Sequence, residues 1–388
     1  MSHRYHQRPP DYSIQAAEMY LSGYHLSPNL YAKSQNLIEY FIKGSQDYIR
    51  SLNSESDHTV YVGYSGIALT HFIIHLKSQR PGSLVIAKQL NNMALRRLKG
   101  RRVSFLQGDA GPLAMAAAIN FTEHNDRQAM EYVSRLIRLG EKAKNQEFEV
   151  LNGWSGYLYA LQYVNTFIKG AIPGSVFRKY VEMILNEGMN NSHHLQSRVP
   201  LVYSWANTNY YGAAHGVAGI LYMLLCSGVV SSSEFHNFVR PTLDNLILNR
   251  HSSGNYRSSE GSESDKLVQW CHGAPGFVDL LLLADQVIGG GQYLTLAEDA
   301  TDVVWERGLL EKGYSICHGV SGNAYSFLAM FRKSKSREQL YRAASYFQWT
   351  LTYPENEGYK PDRPYSLFEV QAGVLYFLTE MANPETAA

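Results

Sequence analysis

Apolar positions along the chain are gathered into seven runs, and a short turn of small residues precedes each run. Runs that are apolar on nearly every helical face are typical of helices buried on most sides. We therefore predict seven inner helices, at 67–76, 113–121, 157–168, 220–226, 277–288, 325–331 and 374–381. Six of the preceding turns have the form Gly-x-x-Gly and one is Val370-Gln-Ala-Gly373; the six begin at Gly63, Gly108, Gly153, Gly216, Gly273 and Gly319.

Between these runs, apolar residues recur at helical spacing on one face only, as in Ala129, Val133 and Leu136. This pattern predicts amphipathic outer helices, so each repeat consists of one outer and one inner helix. A closed ring is favoured over an open solenoid, because an open array needs polar caps and the first and last inner runs are apolar. The predicted fold is all-α, an (α/α)7 toroid with a double ring of seven inner and seven outer helices, forming a single domain over residues 1–388.

The glycines of the repeated turns have two expected roles. Glycine lacks a Cβ, so it permits unusual backbone angles and lets helices approach closely. We also expect the turns to leave backbone N–H groups exposed at the seven inner-helix starts, all at one end of the ring. The functional site is predicted at that end.

Charge and cysteine content narrow the function classes. The 35 Lys and Arg residues balance 34 Asp and Glu residues, so the net charge of +1 gives no basic excess for nucleic-acid binding. Three cysteines are too few for a disulfide framework and indicate a reducing compartment, which predicts a cytoplasmic protein. The first residues lack the apolar stretch of a signal peptide. The apolar segment 212–230 contains four glycines, which favours a buried helix over a transmembrane segment.

Two cysteines occupy matching positions, in Trp270-Cys271-His272-Gly273 and Ile316-Cys317-His318-Gly319. Neighbouring repeats of a ring would bring them to one rim. Thiolate and imidazole donors suit zinc, and three protein ligands with one open position are typical of catalytic zinc. The residues alone leave His272 and His318 as equal candidates for the third ligand. The alternative is a pair of buried core cysteines without a metal.

Further ionisable groups lie at corresponding places in other repeats. His215 precedes Gly216 as His272 precedes Gly273, and a histidine there could act as general acid or base. Glu149, four residues before Gly153, could reach the same rim. The alternatives are a core histidine and a solvated carboxylate. His71 and His75 lack the Glu of a metalloprotease pair and are predicted to be core or cavity-lining residues.

Several strings spread over nearly the whole chain carry a family resemblance. They are Phe105-Leu-Gln-Gly-Asp-Ala-Gly-Pro112, Gly212-Ala-Ala-His-Gly-Val-Ala-Gly219, Trp270-Cys-His-Gly-Ala-Pro-Gly276, Lys312-Gly-Tyr-Ser-Ile-Cys-His-Gly319, Gly322-Asn-Ala-Tyr325 and Ser366-Leu-Phe-Glu369. Together they resemble the LanC-like proteins, the eukaryotic relatives of bacterial lanthionine cyclases. The resemblance implies a double ring of seven inner and seven outer helices. It also implies one zinc ion held by Cys271, Cys317 and His318, with His215 as the acid/base residue and Glu149 at the acidic catalytic position.

The resemblance further implies an enzyme that binds glutathione and adds its thiol to dehydroalanine or dehydrobutyrine residues in proteins. Glutathione transferase activity on small electrophiles is a related expectation. Arg4, Lys312 and Lys360 are the expected glutathione-binding residues, with residues 1–30 forming an N-terminal extension packed near the site. The family carries an Arg where this chain has Tyr359, so Lys360 or the nearby Arg363 would have to replace it.

Other functions remain open at this stage. The same cysteines and histidine could serve a non-catalytic sensor in which zinc and glutathione report redox state to a kinase or another partner. A thioether-forming peptide cyclase would need a precursor peptide. The string Pro361-Asp-Arg-Pro364 has the PxxP form recognised by SH3 domains.

Overall fold

The computed structural model describes residues 4–53, 55–356, 358 and 360–387. Two short strands, β1 (Leu21–Ser22) and β2 (His25–Leu26), pair in antiparallel fashion with Leu21 opposite Leu26. The rest of the regular structure is helical. In chain order the α-helices are α1 (Ile14–Tyr20), α2 (Pro28–Ser51), α3 (Tyr64–Ser78), α4 (Ser83–Leu95), α5 (Ala110–Thr122), α6 (Asp126–Lys142), α7 (Trp154–Phe167), α8 (Gly174–His194), α9 (Val217–Cys226), α10 (Ser232–Glu234), α11 (Arg240–Leu248), α12 (Val278–Ile288), α13 (Gln292–Arg307), α14 (Val320–Ser334), α15 (Arg337–Thr350) and α16 (Gln371–Glu380).

The two predicted kinds of helix are both present. The seven apolar runs correspond to α3, α5, α7, α9, α12, α14 and α16. Helix α5 is buried at every position from Ala110 to Asn120, as an inner helix requires. The amphipathic α6 instead buries one side, which includes Ala129, Val133 and Leu136. Within segment 212–230 only α9 is helical, and among the described residues no helix has the length and apolarity to cross a bilayer.

The described residues pack into two compact units. The first contains those of Met1–Asp57, Tyr61–Ala87 and Val268–Ala388, and the second contains those of His58–Val60 and Lys88–Leu267. In the first unit α12 packs on α14, α14 on α16, and α16 on α3; in the second α5 packs on α7 and α7 on α9. The contact of α16 with α3 joins the last repeat to the first, and the Thr70 hydroxyl donates to the carbonyl of Ala372 (3.2 Å) across it. The single-domain assignment stays a prediction.

The second glycine of five of the seven turns allows one specific close approach. A Cβ built on Gly156 would lie 2.1 Å from the carbonyl oxygen of Val150, six residues earlier, and one on Gly322 would lie 1.8 Å from that of Ile316. The same six-residue relation holds for Gly111, Gly219 and Gly373. Any side chain would displace the loop that precedes the helix. The repeated Gly-x-x-Gly therefore reflects a backbone carbonyl packed on the helix start.

The loops that precede the inner helices also accept hydrogen bonds from amides at the helix starts. The amide of Trp154 donates to the carbonyl of Glu147 (2.9 Å), and the amide of Val217 donates to that of Tyr210 (3.0 Å). Before six of the seven inner helices, the loop thus folds back over the helix N-terminus, and its first carbonyl accepts from the amide seven residues later. We call these segments return loops; they are residues 57–63, 102–108, 147–153, 210–216, 313–319 and 364–370. The expectation that these amides are exposed is wrong, because the return loops satisfy them.

Replacing Gly156 by Ala should destabilise the protein, because the new Cβ would overlap the Val150 carbonyl and approach the Cβ of Ser104 (2.9 Å). The expected loss in unfolding free energy is about 1–3 kcal/mol, as for other overpacked sites. Urea unfolding followed by circular dichroism measures it. Gly174→Ala is the matched control, since the nearest atom to its Cβ lies 4.0 Å away. Equal unfolding midpoints for the two variants would contradict the steric account.

His71 on α3 is a core residue, as predicted. Its side chain is fully buried, and Nε2 lies 2.9 Å from the hydroxyl oxygen of Ser45. Burial lowers the pKa of His71 to about 4, because a charged imidazolium would lose its hydration. The folded protein therefore holds His71 neutral in the pH range where the unfolded chain begins to protonate it.

The variant His71→Gln should flatten the pH dependence of stability. The folded pKa lies below the unfolded value of 6.5, so acidification from pH 6.5 to about 4 favours the unfolded chain. His71 alone should contribute about 3 kcal/mol of lost stability over this window, and nothing above it. Urea unfolding of both proteins between pH 7 and pH 4 measures the difference. Parallel profiles for the two proteins would count against a buried neutral His71.

Candidate functional site

Three side chains of the first unit form a compact donor cluster. The Sγ atoms of Cys271 and Cys317 and a ring nitrogen of His318 all lie within 4.8 Å of one another. Cys317 and His318 sit on the return loop 313–319, and Cys271 lies just before the short 3₁₀ helix Ala274–Gly276. The amide of Cys271 donates to the carbonyl of Cys317 (3.3 Å), which holds the two segments side by side.

A second backbone contact extends this arrangement to the first and last repeats. The amide of Cys317 donates to the carbonyl of Phe368 (3.1 Å), and the amide of Phe368 donates to that of Tyr61 (3.2 Å). The rings of Tyr61 and Phe368 stack with centroids 4.7 Å apart, and Trp270 lies 5.4 Å from Phe368. Backbone pairing and aromatic packing from several repeats therefore hold the cluster in place.

Neighbouring groups supply hydrogen bonds to both buried sulfurs. The Tyr61 hydroxyl donates to Sγ of Cys317 (3.0 Å), and the side-chain amide of Gln269 donates to Sγ of Cys271 (3.0 Å). A hydrogen bond between the two sulfurs lowers the pKa of Cys271 and raises that of Cys317. The two sulfurs are therefore in direct contact with each other as well as with these donors.

The surroundings of His318 favour a neutral imidazole. Burial, followed by the charge of Lys312, lowers the pKa of His318 to about 4. A neutral imidazole keeps a lone pair for a metal. The structure groups His318, rather than His272, with the two sulfurs.

The donor set fits a tetrahedral metal ion. Two sulfurs and one nitrogen bound to one ion at 2.0–2.3 Å would stand about 3.8 Å or less apart, which is compatible with donor atoms that all lie within 4.8 Å of one another. The hydrogen bonds from Tyr61 and Gln269 are the kind of outer contact that orients thiolate ligands. These three residues can hold a metal ion, and their ligation remains a prediction.

The predicted glutathione-binding residues come together through their backbones. The amide of Glu311 donates to the carbonyl of Arg4 (3.0 Å), and a Cβ on Gly358 would meet the carbonyl of Glu311 at 2.1 Å. Lys312 follows Glu311 directly, and Lys360 follows Gly358 by two residues. Three exposed cations, Arg4, Lys312 and Lys360, therefore belong to segments that meet at Glu311.

Two further sequence predictions concern the same segment. Tyr359, the departure from the family Arg, lies outside the described residues, and Arg363 is exposed with its amide donating to Glu369 (2.8 Å). In the PxxP string Pro361 is buried, and the carbonyl of Pro364 accepts from the amide of Gln371 (2.9 Å). The string ends at Pro364, the first residue of the last return loop, and SH3 binding stays a prediction.

A second polar group lies in the other unit. Nδ1 of His215 is 3.3 Å from Oε2 of Glu149, which is ion-pair range when the imidazole is protonated, although the angle does not make a hydrogen bond. Glu149 is buried, and its two oxygens accept the amides of Leu151 (2.5 Å) and Asn152 (2.8 Å). The amide of Leu151 also approaches the carbonyl of Ala214 (3.4 Å), so the two return loops fix this pair.

One residue of this group, Trp205, is not among the site residues predicted from the sequence. Its ring stacks on His215 with centroids 3.8 Å apart and planes 7° from parallel. Paired backbone hydrogen bonds between Trp205 and Thr208, both 3.0 Å long, hold the loop that carries it. No Gly turn or helical stripe surrounds Trp205, so its sequence context carried no signal.

Comparisons with known proteins agree with this fold. Residues 54–388 match the family model of lanthionine synthetase C-like proteins. Glutathione S-transferase LANCL1 of Danio rerio is 38% identical over 339 residues, covering 85% of this chain and 84% of that protein. LanC-like protein GCL1 of Arabidopsis thaliana is 29% identical over 347 residues, covering 84% and 79%. The solved structure of nisin cyclase aligns with a TM-score of 0.67 at 16% identity, over 89% of this chain and 93% of that one.

The fold and the cluster are those of an all-α toroid protein with a Cys/Cys/His donor set, so the predicted fold class is confirmed. The chain belongs to the LanC-like family.

The variant Tyr61→Phe should weaken metal binding by about tenfold or more, as loss of an outer hydrogen bond to a ligand commonly does. The change removes the hydroxyl that donates to Cys317 but keeps the ring that stacks on Phe368. Co²⁺ titration followed by absorbance measures the affinity. Tyr48→Phe is the control, because Tyr48 stacks on Tyr365 outside the cluster. Equal affinities for both variants would show that the hydroxyl does not support a ligand.

Proposed function

We propose that this chain is a zinc-dependent enzyme that adds the glutathione thiol to dehydroalanine and dehydrobutyrine residues in proteins. The observation that carries the proposal is the cluster of two buried sulfurs and one imidazole, next to a segment rich in exposed cations. The name of the zebrafish relative, a glutathione S-transferase, supports the class of reaction. Small electrophiles with an activated double bond are expected to react as well.

Cys271, Cys317 and His318 would hold the zinc ion as three of the four ligands that zinc takes. Zinc in such a site supplies the positive charge that lowers the pKa of an incoming thiol. Tyr61 and Gln269 would keep the two protein sulfurs oriented by the hydrogen bonds described above. The site needs glutathione in its thiol form, which agrees with a cytoplasmic location.

The cations Arg4, Lys312 and Lys360 would bind the carboxylates of glutathione. Glutathione carries two carboxylates, and guanidinium and ammonium groups are their usual partners. The backbone pairing of Arg4 with Glu311 supports a shared role with Lys312. The three cations would orient the tripeptide and leave its thiol free to reach the metal site formed by Cys271, Cys317 and His318.

His215 would supply the proton that completes the reaction. The glutathione sulfur forms a bond to the β-carbon of the dehydro residue, and the electron pair of the C=C π bond takes a proton at the α-carbon. The protonated His215 donates it, while the proton released by the thiol passes to solvent, from which His215 is protonated again. Atoms and charge balance without an oxidant. Glu149 would stabilise the imidazolium at 3.3 Å, and Trp205 would fix its ring plane.

The test uses the full chain, glutathione and a peptide with one dehydroalanine. The expected result is a mass gain of one glutathione with the unchanged protein, and a loss of at least about a hundredfold in rate with His215→Ala. His215→Ala should keep its zinc content, whereas Cys317→Ala should lose zinc and activity together. Mass spectrometry and metal analysis measure the two readouts.

The control is His236→Ala, which removes an exposed histidine of the same unit. Full turnover by His215→Ala would remove His215 from the mechanism. Zinc and glutathione binding without any adduct in the unchanged protein would favour the redox-sensor function instead.

A further inference from the structure

One loop of the second unit concentrates positive charge that the proposed chemistry does not use. Between α4 and α5, the segment 96–102 reads Arg-Arg-Leu-Lys-Gly-Arg-Arg and contains no acidic residue. We call it the cationic loop. Lys99, Arg101 and Arg102 are exposed, and so is Lys144 beyond the end of α6. A chain with a net charge of only +1 thus gathers several cations in one place.

Hydrogen bonds with the side chains of Asp109 and Gln146 fix the backbone of the cationic loop. The buried carboxylate of Asp109 accepts the amides of Lys99 (3.1 Å) and Gly100 (2.5 Å). The Gln146 side chain accepts the amide of Val103 (3.2 Å) and donates to the carbonyls of Arg101 (2.9 Å) and Lys144 (2.8 Å). The loop therefore has a defined backbone conformation, and Lys144 stands next to Arg101.

The outward cations form no ion pair with any residue in the described part of the chain. No carboxylate of the described residues lies within 4.0 Å of the charged groups of Lys99, Arg101, Arg102 or Lys144. Arg178 of the same unit shows the contrast, because it pairs with both Glu182 and Glu234. Like charges held this close repel one another, and an anionic ligand would relieve that repulsion.

Hydrogen bonds connect the cationic loop to the Glu149–His215 pair. The hydroxyl of Ser104, two residues after Arg102, donates to the carbonyl of Leu151 (2.6 Å). The amide of Leu151 bonds Glu149 (2.5 Å) and approaches the carbonyl of Ala214, the neighbour of His215. The cationic loop is therefore linked through Ser104 to the two return loops that carry Glu149 and His215, within the same unit.

We propose that the cationic loop binds an anionic stretch of the polypeptide substrate, on one side of the dehydro residue. The inference rests on the proposed function for the identity of the substrate. Arginine pairs bidentately with carboxylate and phosphate alike, so acidic residues and phosphoserine are both suitable anions. The exposed carboxylates of Glu141 and Glu147 limit the positive surface to a short stretch, which favours a peptide segment over a nucleic acid or a membrane.

The test compares three peptides with one dehydroalanine each, flanked by three Glu, three phosphoserine or three Lys residues. The variant is Arg101→Gln/Arg102→Gln in the full chain, and the control is Arg127→Gln/Arg138→Gln, which removes two exposed cations of α6. The unchanged protein should prefer the anionic peptides by about tenfold in kcat/KM, since several exposed ion pairs add modest increments. The variant should lose this preference mainly through KM, and the loss should shrink at high salt.

Two further measurements separate this proposal from the proposed function. Fluorescence anisotropy with peptides carrying Ser in place of dehydroalanine, without glutathione, reports binding even if no adduct ever forms. A small dehydroalanine amide should react equally with the variant and the unchanged protein, which shows that the chemistry is intact. Comparison of the Glu and phosphoserine peptides identifies the preferred anion.

The proposal fails if the variant loses rate equally on all three peptides, or if the control pair of α6 has the same effect. It also fails if an oligonucleotide or an anionic vesicle of equal charge displaces the anionic peptides and binds more tightly than they do. Circular dichroism and metal content should be the same for both variants and the unchanged protein.

Discussion

The candidate site depends on one close contact, the carbonyl oxygen of a return loop lying against the second glycine of its turn. Glu149, His215 and Cys317 all belong to return loops, and each loop is clamped between that glycine and the first amide of the following helix. The clamp is made entirely of backbone atoms. The side chains of the loops are therefore free to differ from one repeat to the next, so one repeated scaffold presents a sulfur, an imidazole and a carboxylate.

Charge is distributed around these loops according to burial. The two sulfurs are buried and His318 is half-buried, and the sulfurs accept hydrogen bonds from Tyr61 and Gln269. Arg4, Lys312 and Lys360 stand at the surface, where an anionic substrate can reach them without a desolvation cost to the protein. Buried donors fit the binding of a metal ion, and exposed cations fit the binding of a small anion that must leave again.

Much of this arrangement is visible in the sequence because the glycine pattern reports a steric requirement. At Gly156 and Gly322 a carbonyl oxygen occupies the space that a side chain would need, so only glycine fits there. The repeated glycine turns therefore indicated where the seven inner helices begin. The pairing of Cys271 with Cys317 was visible because both precede corresponding turns. The choice between His272 and His318 could not be predicted from the sequence. Both follow a cysteine and precede a glycine, and they differ only in where the backbone directs the ring.

The long-range contacts could not be predicted from the sequence, for a different reason. Nothing local in Trp205 indicates that its ring will cover His215, and nothing near Arg4 indicates a strand-like contact with Glu311. The exposed helix-start amides were predicted wrongly because the return loops, which satisfy them, have no periodic signature of their own. Contacts set by tertiary packing require the coordinates.

The packing of α16 on α3 has a consequence for how the protein forms during synthesis. The first unit combines an early and a late part of the chain, whereas nearly all of the second unit is one continuous stretch that leaves the ribosome before the late part, Val268–Ala388. Tyr61 emerges long before Cys317 and Phe368, the residues it contacts. The second unit can therefore gather its core while translation continues, and the donor cluster can be completed only after the last repeat has been made.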